Sequence, residues 1–184
     1  MTKNTPKETR ARLLRAAVAI VIEQGTAQLT LNAVAHTAQV SKGGLLHHFP
    51  TKEALVNGID DWATQMWSER LEDELAREPE GRAGRWSRAY IRTTFDREPE
   101  MTQVLQALTR IIGVYPALLD RWRTMYAQSW DYIAGDGLPQ GRVRTIQVAC
   151  DGLWLSEMIG LPLLPDTERE AMRADLLKLT DERS

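Results

Sequence analysis

The chain has a single cysteine, Cys150, in 184 residues, and that scarcity removes several classes of protein. No internal disulfide can form, and one thiolate without a second sulfur cannot build a structural zinc module. Long apolar runs are missing too: nothing approaches the roughly 18 to 20 uninterrupted apolar residues that a membrane-spanning helix needs. The opening residues, MTKNTPKETR, lack the apolar centre of a signal peptide, so a cytoplasmic protein with no membrane partner is expected. Alternating polar and apolar stretches joined by hairpin turns are absent, which leaves no candidate strands. Also missing are a glycine-rich phosphate loop after a strand, a Gly-x-Ser-x-Gly elbow and a metal-ligand cluster. These omissions argue against an enzyme, and no cofactor is expected.

What is present is helical periodicity almost throughout, in a chain that is 43% hydrophobic and 26% charged. The expected fold is all-α, with about nine helices. The formal net charge of −2 conceals a division. Residues 1–52 hold seven Lys or Arg against two acids, whereas the remainder holds sixteen against twenty-three. His36, His47 and His48 all lie in the basic part. A polyanion-facing head is therefore attached to an acidic body.

The first helix carries a full start signal: Thr5 as N-cap, Pro6 at the first helical position and Glu8 completing a capping box. Leu13, Leu14, Ala17, Ile20 and Val21 form its apolar stripe, and Gly25 ends it. Thr30 caps a short second helix, with Leu31, Val34, Ala35 and Ala38 inward; Ser41 caps a third that ends near Phe49-Pro50. Two such short helices joined by a tight turn match a helix-turn-helix, and neither is stable without the first helix to lean on. Thr51 caps a long fourth helix, with Leu55, Ile59, Trp62 and Met66 on its buried face, running to about Glu78. Further helices are expected over 82–96, over 101–114 with Val104, Leu105, Leu108, Ile111 and Ile112 inside, from Pro116 with Leu119, Trp122, Tyr126 and Ile133, and over 140–159. A last one starts at the box Thr167-x-x-Glu170.

The segment Ser41-Lys42-Gly43-Gly44-Leu45-Leu46-His47-His48 carries the chemistry. Two glycines inside a helix cost ~1 kcal/mol each against alanine, so something offsets them. Removing side chains lets a backbone approach another surface closely, and free N–H groups at a helix start suit phosphate oxygens. Lys52, in the first turn of the fourth helix, opposes that helix's dipole unless an external anion sits beside it. The plainer reading of Gly-Gly is a loop. Neighbouring histidines point about 100° apart on a helix, and no carboxylate lies among them, so His47-His48 is a poor metal pair and a better donor to phosphates or base edges. Leu45 and Phe49 are most simply core.

Thr30-Leu31, Val34-Ala35, Ala38-x-Val40-Ser41-Lys42-Gly43, Leu45, His48-Phe49 and Lys52 together resemble the N-terminal DNA-binding domain of the TetR family of one-component transcriptional regulators. The match spans residues 10 to 55; the rest fits the family's divergent ligand-binding domain in length and helix count. The resemblance implies a helix-turn-helix DNA-binding domain over 1–52 and a ligand-binding and dimerisation domain over 53–184. It further implies a homodimer on a palindromic double-stranded operator, with Thr30 or Leu31, Ser41, Lys42, Gly43, His47, His48 and Lys52 where family members contact DNA; Gly44 is grouped with them. Two departures stand out. Gln39 occupies the inter-helix turn where the family has glycine, so it either adopts the turn with strain or adds a side-chain contact. Leu46 replaces a phosphate-contacting tyrosine, and so either touches a thymine methyl or sugar, or is buried.

All six tryptophans lie in the acidic body. Trp62, Met66, Trp86, Tyr90, Leu105, Leu108, Trp122, Tyr126 and Trp154 are candidates to line a small-molecule cavity, against the plainer reading that they fill space between helices. Asp151 and Glu157 flank Trp154 at helical spacing, which suits a lipophilic cation, although an uncharged or acidic effector is also open. Family knowledge places the dimer interface on the last two helices, here Val143, Ile146, Ala149, Leu153, Ala171, Leu176 and Leu179; the alternative is that these residues close a monomer's core. The expected protein is a ligand-released repressor controlling an efflux pump, against a regulator of metabolic genes or a non-specific architectural DNA protein.

Overall fold

A computed structural model of the chain describes residues 5–96, 98–161 and 164–181, with backbone alone for 128–134. The side chains of Trp130 and Ile133 therefore lie outside the described residues. Nine α-helices and no strand are found among the described residues: α1 Pro6–Gln24, α2 Leu31–Thr37, α3 Lys42–His48, α4 Lys52–Arg77, α5 Arg85–Phe95, α6 Pro99–Ile112, α7 Ala117–Ala134, α8 Gln140–Met158 and α9 Asp166–Lys178. A 3-10 turn over Thr26–Gln28 joins α1 to the next helix. No helix among the described residues is long and apolar enough to cross a membrane.

The chain divides into two compact units. One comprises residues 1–64 and 103–119, the other 65–102 and 120–184. The first is larger than the 52-residue head expected, because α4 opens with the fully buried Leu55, Val56 and Ile59, and Val104, Leu108, Ile111 and Leu118 are buried in the same unit. The capping box of α1 forms as expected, with Glu8 N–H donating to Thr5 Oγ1 at 3.2 Å and Thr5 N–H to Glu8 Oε2 at 2.7 Å. Gly58 lets α4 lie close to the head: a Cβ there would stand 2.6 Å from Phe49 Cε1 and 3.4 Å from Leu14 Cδ2.

In the second unit α5 starts at Arg85, later than expected from Arg82. Gly84 adopts a left-handed conformation (φ +76) that ends the preceding turn, and the cap comes from far along the chain. Asp136 accepts Trp86 N–H at 2.7 Å and Ser87 N–H at 3.1 Å, across 50 and 49 residues, while Gly84 N–H donates to its carbonyl at 2.7 Å. Glu78, just beyond α4, pairs with Arg88 at 2.6 Å and with Arg92; burial would raise its carboxyl, but the two guanidinium groups hold it below its ordinary range. Ile91, Phe95, Ile146, Cys150, Leu153 and Leu176 make the core of this unit. Two other expectations shift. On α7 Leu118 is buried while Leu119 and Tyr126 are exposed, and α9 begins at Asp166 behind Pro165 with no side-chain cap, so the Thr167-x-x-Glu170 box is not used.

Candidate nucleic-acid interface and effector cleft

Each of the two short helices is fixed at its N-terminus by a side-chain cap, and so is the helix that follows them. Thr30 Oγ1 accepts Ala33 N–H at 3.1 Å, Ser41 Oγ accepts Gly44 N–H at 3.1 Å, and Thr51 Oγ1 accepts Ala54 N–H at 3.0 Å to start α4. Between α2 and α3, Gln39 has φ +52, the sole positive φ of a non-glycine residue among those described. The left-handed region costs a residue with a Cβ about 1–2 kcal/mol, so the turn is taken with strain. Arg12, a residue not singled out from the sequence, holds it. From α1 its guanidinium donates to the carbonyl of Ala38 at 2.5 Å and lies 3.5 Å from that of Gln39. Only its spacing on α1, one residue before the buried Leu13-Leu14 pair, offered any signal.

On α3 the expected division of faces holds. Leu45 and Phe49 are buried, whereas Ser41, Lys42, Gly43, Leu46 and His47 are exposed. The two glycines have different surroundings. A Cβ at Gly43 would meet nothing within 4 Å, while one at Gly44 would meet Val40 Cγ1 at 3.1 Å and Ser41 Oγ at 3.2 Å. A side chain at Gly44 would press on these two neighbours, whereas Gly43 leaves a bare stretch of backbone facing outward. Leu46, at 38% exposure, is an apolar side chain in a polar, basic face and not a buried one. His48 is half-buried, with its ring centroid 5.4 Å from His47 and 6.4 Å from Phe49. Burial, then the charges of His47 and Arg10, push its imidazole below the ordinary histidine range. Thr30 is exposed, Leu31 half-buried, and Lys52 has its ammonium 5.9 Å from the Tyr115 ring.

The candidate effector residues do not form one group. Trp62, Leu105 and Leu108 belong to the first unit, where Leu105 and Leu108 are buried core and Trp62 lies 5.9 Å beneath the Arg15 guanidinium. In the second unit Trp86 stacks on Tyr90 at 4.7 Å, Tyr90 meets Trp67 edge-on at 5.7 Å, and Trp122 lies 5.7 Å from Trp154. Tyr90 donates its hydroxyl to one Asp151 oxygen, and Tyr126 donates to the other at 2.6 Å. Burial, then the bond to Asp151, pushes the Tyr126 phenol up to about 12. Glu157, expected to be open to a cation, is buried and paired with Arg169, which also donates to the Phe95 carbonyl at 3.0 Å. A cleft in this unit lies elsewhere: about 270 Å³, it is lined by Met66, Trp67, Thr93 and Met101, with Glu69, Arg70 and Asp73 of α4 and with Asp96 and Glu98 between α5 and α6. Of its lining, only Met66 was among the expected residues.

The expected dimer face also needs correction. Val143, Ile146, Leu153 and Leu176 are buried inside their own unit, and Ala149 and Leu179 pack against the same core, because α5 lies against α8 and α9. Only Ala171 is exposed. The outward stripe of α8 is instead Gly141, Thr145, Val148, Gly152 and Leu155, with Val148 at 67% and Leu155 at 52% exposure. Among the described residues no group of three His, Cys, Asp or Glu is placed to hold a metal ion.

Two family descriptions match the chain: "Bacterial regulatory proteins, tetR family" over residues 13–59, and "Tetracyclin repressor-like, C-terminal domain" over residues 84–181. The HTH-type transcriptional regulator CymR of Pseudomonas putida is 36% identical over 70 residues; the match covers 38% of this chain and 34% of that protein, about a third of the relative's length. Among solved structures, a TetR family member from Streptomyces coelicolor, SCO1917, superposes with a TM-score of 0.66 at 21% identity, covering 95% of this chain and 99% of that one. The multidrug binding protein EbrR complexed with malachite green gives 0.61 at 19% identity, covering 94% and 98%. Both likenesses bear on the fold.

Proposed function

From the premise that the chain belongs to the tetR family of bacterial regulatory proteins, ligand-responsive DNA-binding transcriptional regulators and not enzymes, we propose that it is a homodimeric repressor. It binds a palindromic operator through α3 and leaves it when a small lipophilic effector enters the second unit. The observation that carries the reading is the outward face of α3: Lys42 and His47 beside the bare backbone of Gly43, with the apolar Leu46 among them. Lysine and the exposed backbone position the head on phosphates; the side chains further along the helix reach base edges. Thr30, Ser41, Gln39, His48 and Lys52 frame that face, while Gly44 serves the packing behind it.

A palindrome needs two heads, about 34 Å apart to meet successive major-groove half-sites. The second copy docks on the outer stripe of α8, where Gly141 and Gly152 have open space around them and Val148 and Leu155 present apolar surface. Ala171 and Ala174 on α9 extend the same chemistry. An effector that prefers the conformer with displaced heads weakens operator binding by its differential affinity, typically 5- to 150-fold. EbrR, a structural neighbour, is described as a multidrug binding protein in complexes with malachite green and with ethidium, which favours control of an efflux pump by a lipophilic compound here too.

Footprinting on the DNA upstream of the protein's own gene tests the reading. A protected palindrome is expected, and light scattering should give twice 20.8 kDa. Uniform coverage would favour an architectural protein instead. Lys42→Ala should weaken operator and random DNA alike and reduce the salt slope by about one phosphate contact; an unchanged slope contradicts a phosphate role for Lys42.

A further inference from the structure

We propose that the cleft between α4, α5 and the start of α6 is a receptor for a small aromatic monocation, held over Trp67 between Asp73 and Glu98. This rests on the reading of the second unit as effector-binding and gives that effector a charge and a seat. The sequence suggested a cation beside Trp154, between Asp151 and Glu157, but neither carboxylate there is open to one. Both oxygens of Asp151 accept from tyrosine hydroxyls, and Glu157 is buried against Arg169.

The cleft differs in each respect. Its volume of about 270 Å³ fits a ligand of two or three rings, below the range of larger drug pockets. Its apolar lining is Met66, Trp67 and Met101: one indole and two flexible thioethers, surfaces that adapt to a flat aromatic ring. Tyr90 braces Trp67 edge-on at 5.7 Å and itself stacks on Trp86, so the indole is held before a ligand arrives. Thr93, 2% exposed, donates its hydroxyl to the Ala89 carbonyl and offers the ligand no strong polar claim.

Among the described residues the charges in the lining are four carboxylates, Glu69, Asp73, Asp96 and Glu98, against one guanidinium, Arg70. Arg70 shares Glu74, outside the lining, with Arg77 (3.2 and 2.6 Å), so it offsets one of the four carboxylates and leaves the described lining net negative. Asp96 is paired with Arg173 at 3.3 Å, and among the described residues Glu69 accepts the neutral Gln65 amide at 2.8 Å. Asp73 and Glu98 have no ion-pair partner among the described residues. Glu69 and Asp73 stand four residues apart on one helix, a like-charge spacing that is unfavourable until a cation lies between them. An indole beside uncompensated carboxylates attracts a desolvating aromatic cation through both charge and the ring quadrupole. An anion of the same shape is repelled, and a neutral ring gains only the apolar contact.

Tryptophan quenching and calorimetry with the full chain and no DNA test this, using N-methylquinolinium, uncharged quinoline and naphthalene-1-sulfonate at pH 7.5. The cation is expected to bind more tightly than quinoline by roughly tenfold or more, with salt weakening it, and the sulfonate not to bind. The exposed pair Asp73→Asn with Glu98→Gln should remove about tenfold of the cation's affinity and leave quinoline's unchanged. Trp67→Leu should weaken both rings while sparing the charge preference. Equal binding of cation and quinoline, or an Asp73→Asn/Glu98→Gln protein with full cation affinity, overturns the proposal. Operator binding, measured on the same preparations without any ligand, separates the two levels. A protein that binds its operator but shows no charge preference remains a regulator with another effector; one that binds no operator fails the regulator reading whatever the cleft does.

Discussion

Replacing Gln39 by glycine should make the protein more stable. Its φ of +52 places a residue with a Cβ in a region that costs about 1–2 kcal/mol. Glycine removes that cost but brings a more flexible unfolded chain, worth roughly 0.5–1 kcal/mol in the opposite sense. The net gain is then about 0.5–1 kcal/mol, which for a chain of this length raises the midpoint by roughly 2–4 °C per kcal/mol. The bonds that hold the turn survive, because Arg12 donates to the backbone carbonyls of Ala38 and Gln39 and not to the glutamine side chain. Thermal and urea unfolding of the full chain without DNA should rank Gln39→Gly above Gln39→Asn, above wild type, and all above Gln39→Val, whose β-branch tolerates the left-handed region worst. Arg12→Met should lose about 1–3 kcal/mol by removing the part-buried bond to the Ala38 carbonyl. A Gln39→Val protein as stable as wild type would refute the left-handed turn. If Gln39→Gly is more stable yet binds the operator more weakly, the glutamine side chain touches DNA.

Gly58→Ala should cost about 1–3 kcal/mol through overpacking, since its methyl would stand 2.6 Å from the Phe49 ring, and Phe49→Leu in the same chain should recover part of the loss in urea unfolding. Leu46 is expected to read a thymine methyl: replacing single operator thymines by deoxyuridine should weaken wild type at one position and leave Leu46→Ala unaffected there, whereas a uniform response at every thymine would remove Leu46 from base readout. His48 sits below its ordinary range in the free protein, so it is neutral at pH 7, and a DNA phosphate beside it would raise it again. Operator affinity should then rise as pH falls from 7.5 toward 5.5, with proton uptake visible by calorimetry in two buffers and missing in His48→Gln. The same lowered value means that His48's contribution to folding is complete above about pH 6.5 and is lost as pH falls below it.

Signals that act within a few residues were legible in the sequence. Thr5, Thr30, Ser41 and Thr51 cap the helices they were expected to cap, and Leu45 and Phe49 are core, because each depends on neighbours three or four positions away. Where the outcome depends on distant partners, the local signal failed. The start of α5 is set by Gly84 and by Asp136 together, so the turn at 79–81 gave the wrong first residue. Val143, Ile146 and Leu153 have the spacing of an apolar helix face, but nothing in that spacing says whether the face meets its own chain or a second copy. Trp154 with Asp151 and Glu157 had the right types for a cation site; Tyr90, Tyr126 and Arg169, remote in sequence, claimed both carboxylates. The Glu69–Asp73 spacing was available as a clue, but it gained meaning only when α5 and α6 supplied Thr93 and Met101 to the same cleft.

The long reach of Asp136 bears on the order in which the two units can form during synthesis. The first helices close on shorter-range contacts, such as the 26- and 27-residue spans from Arg12 to the carbonyls of Ala38 and Gln39. The first N–H groups of α5 wait for a carboxylate 50 residues downstream, so that helix has no capped start until the chain beyond Asp136 has emerged. A nascent chain halted before that point would carry a folded DNA-reading front and an α5 still fraying at its N-terminus. Translation therefore supplies the last residues of the first unit, 103–119, before α5 of the second unit can gain its cap.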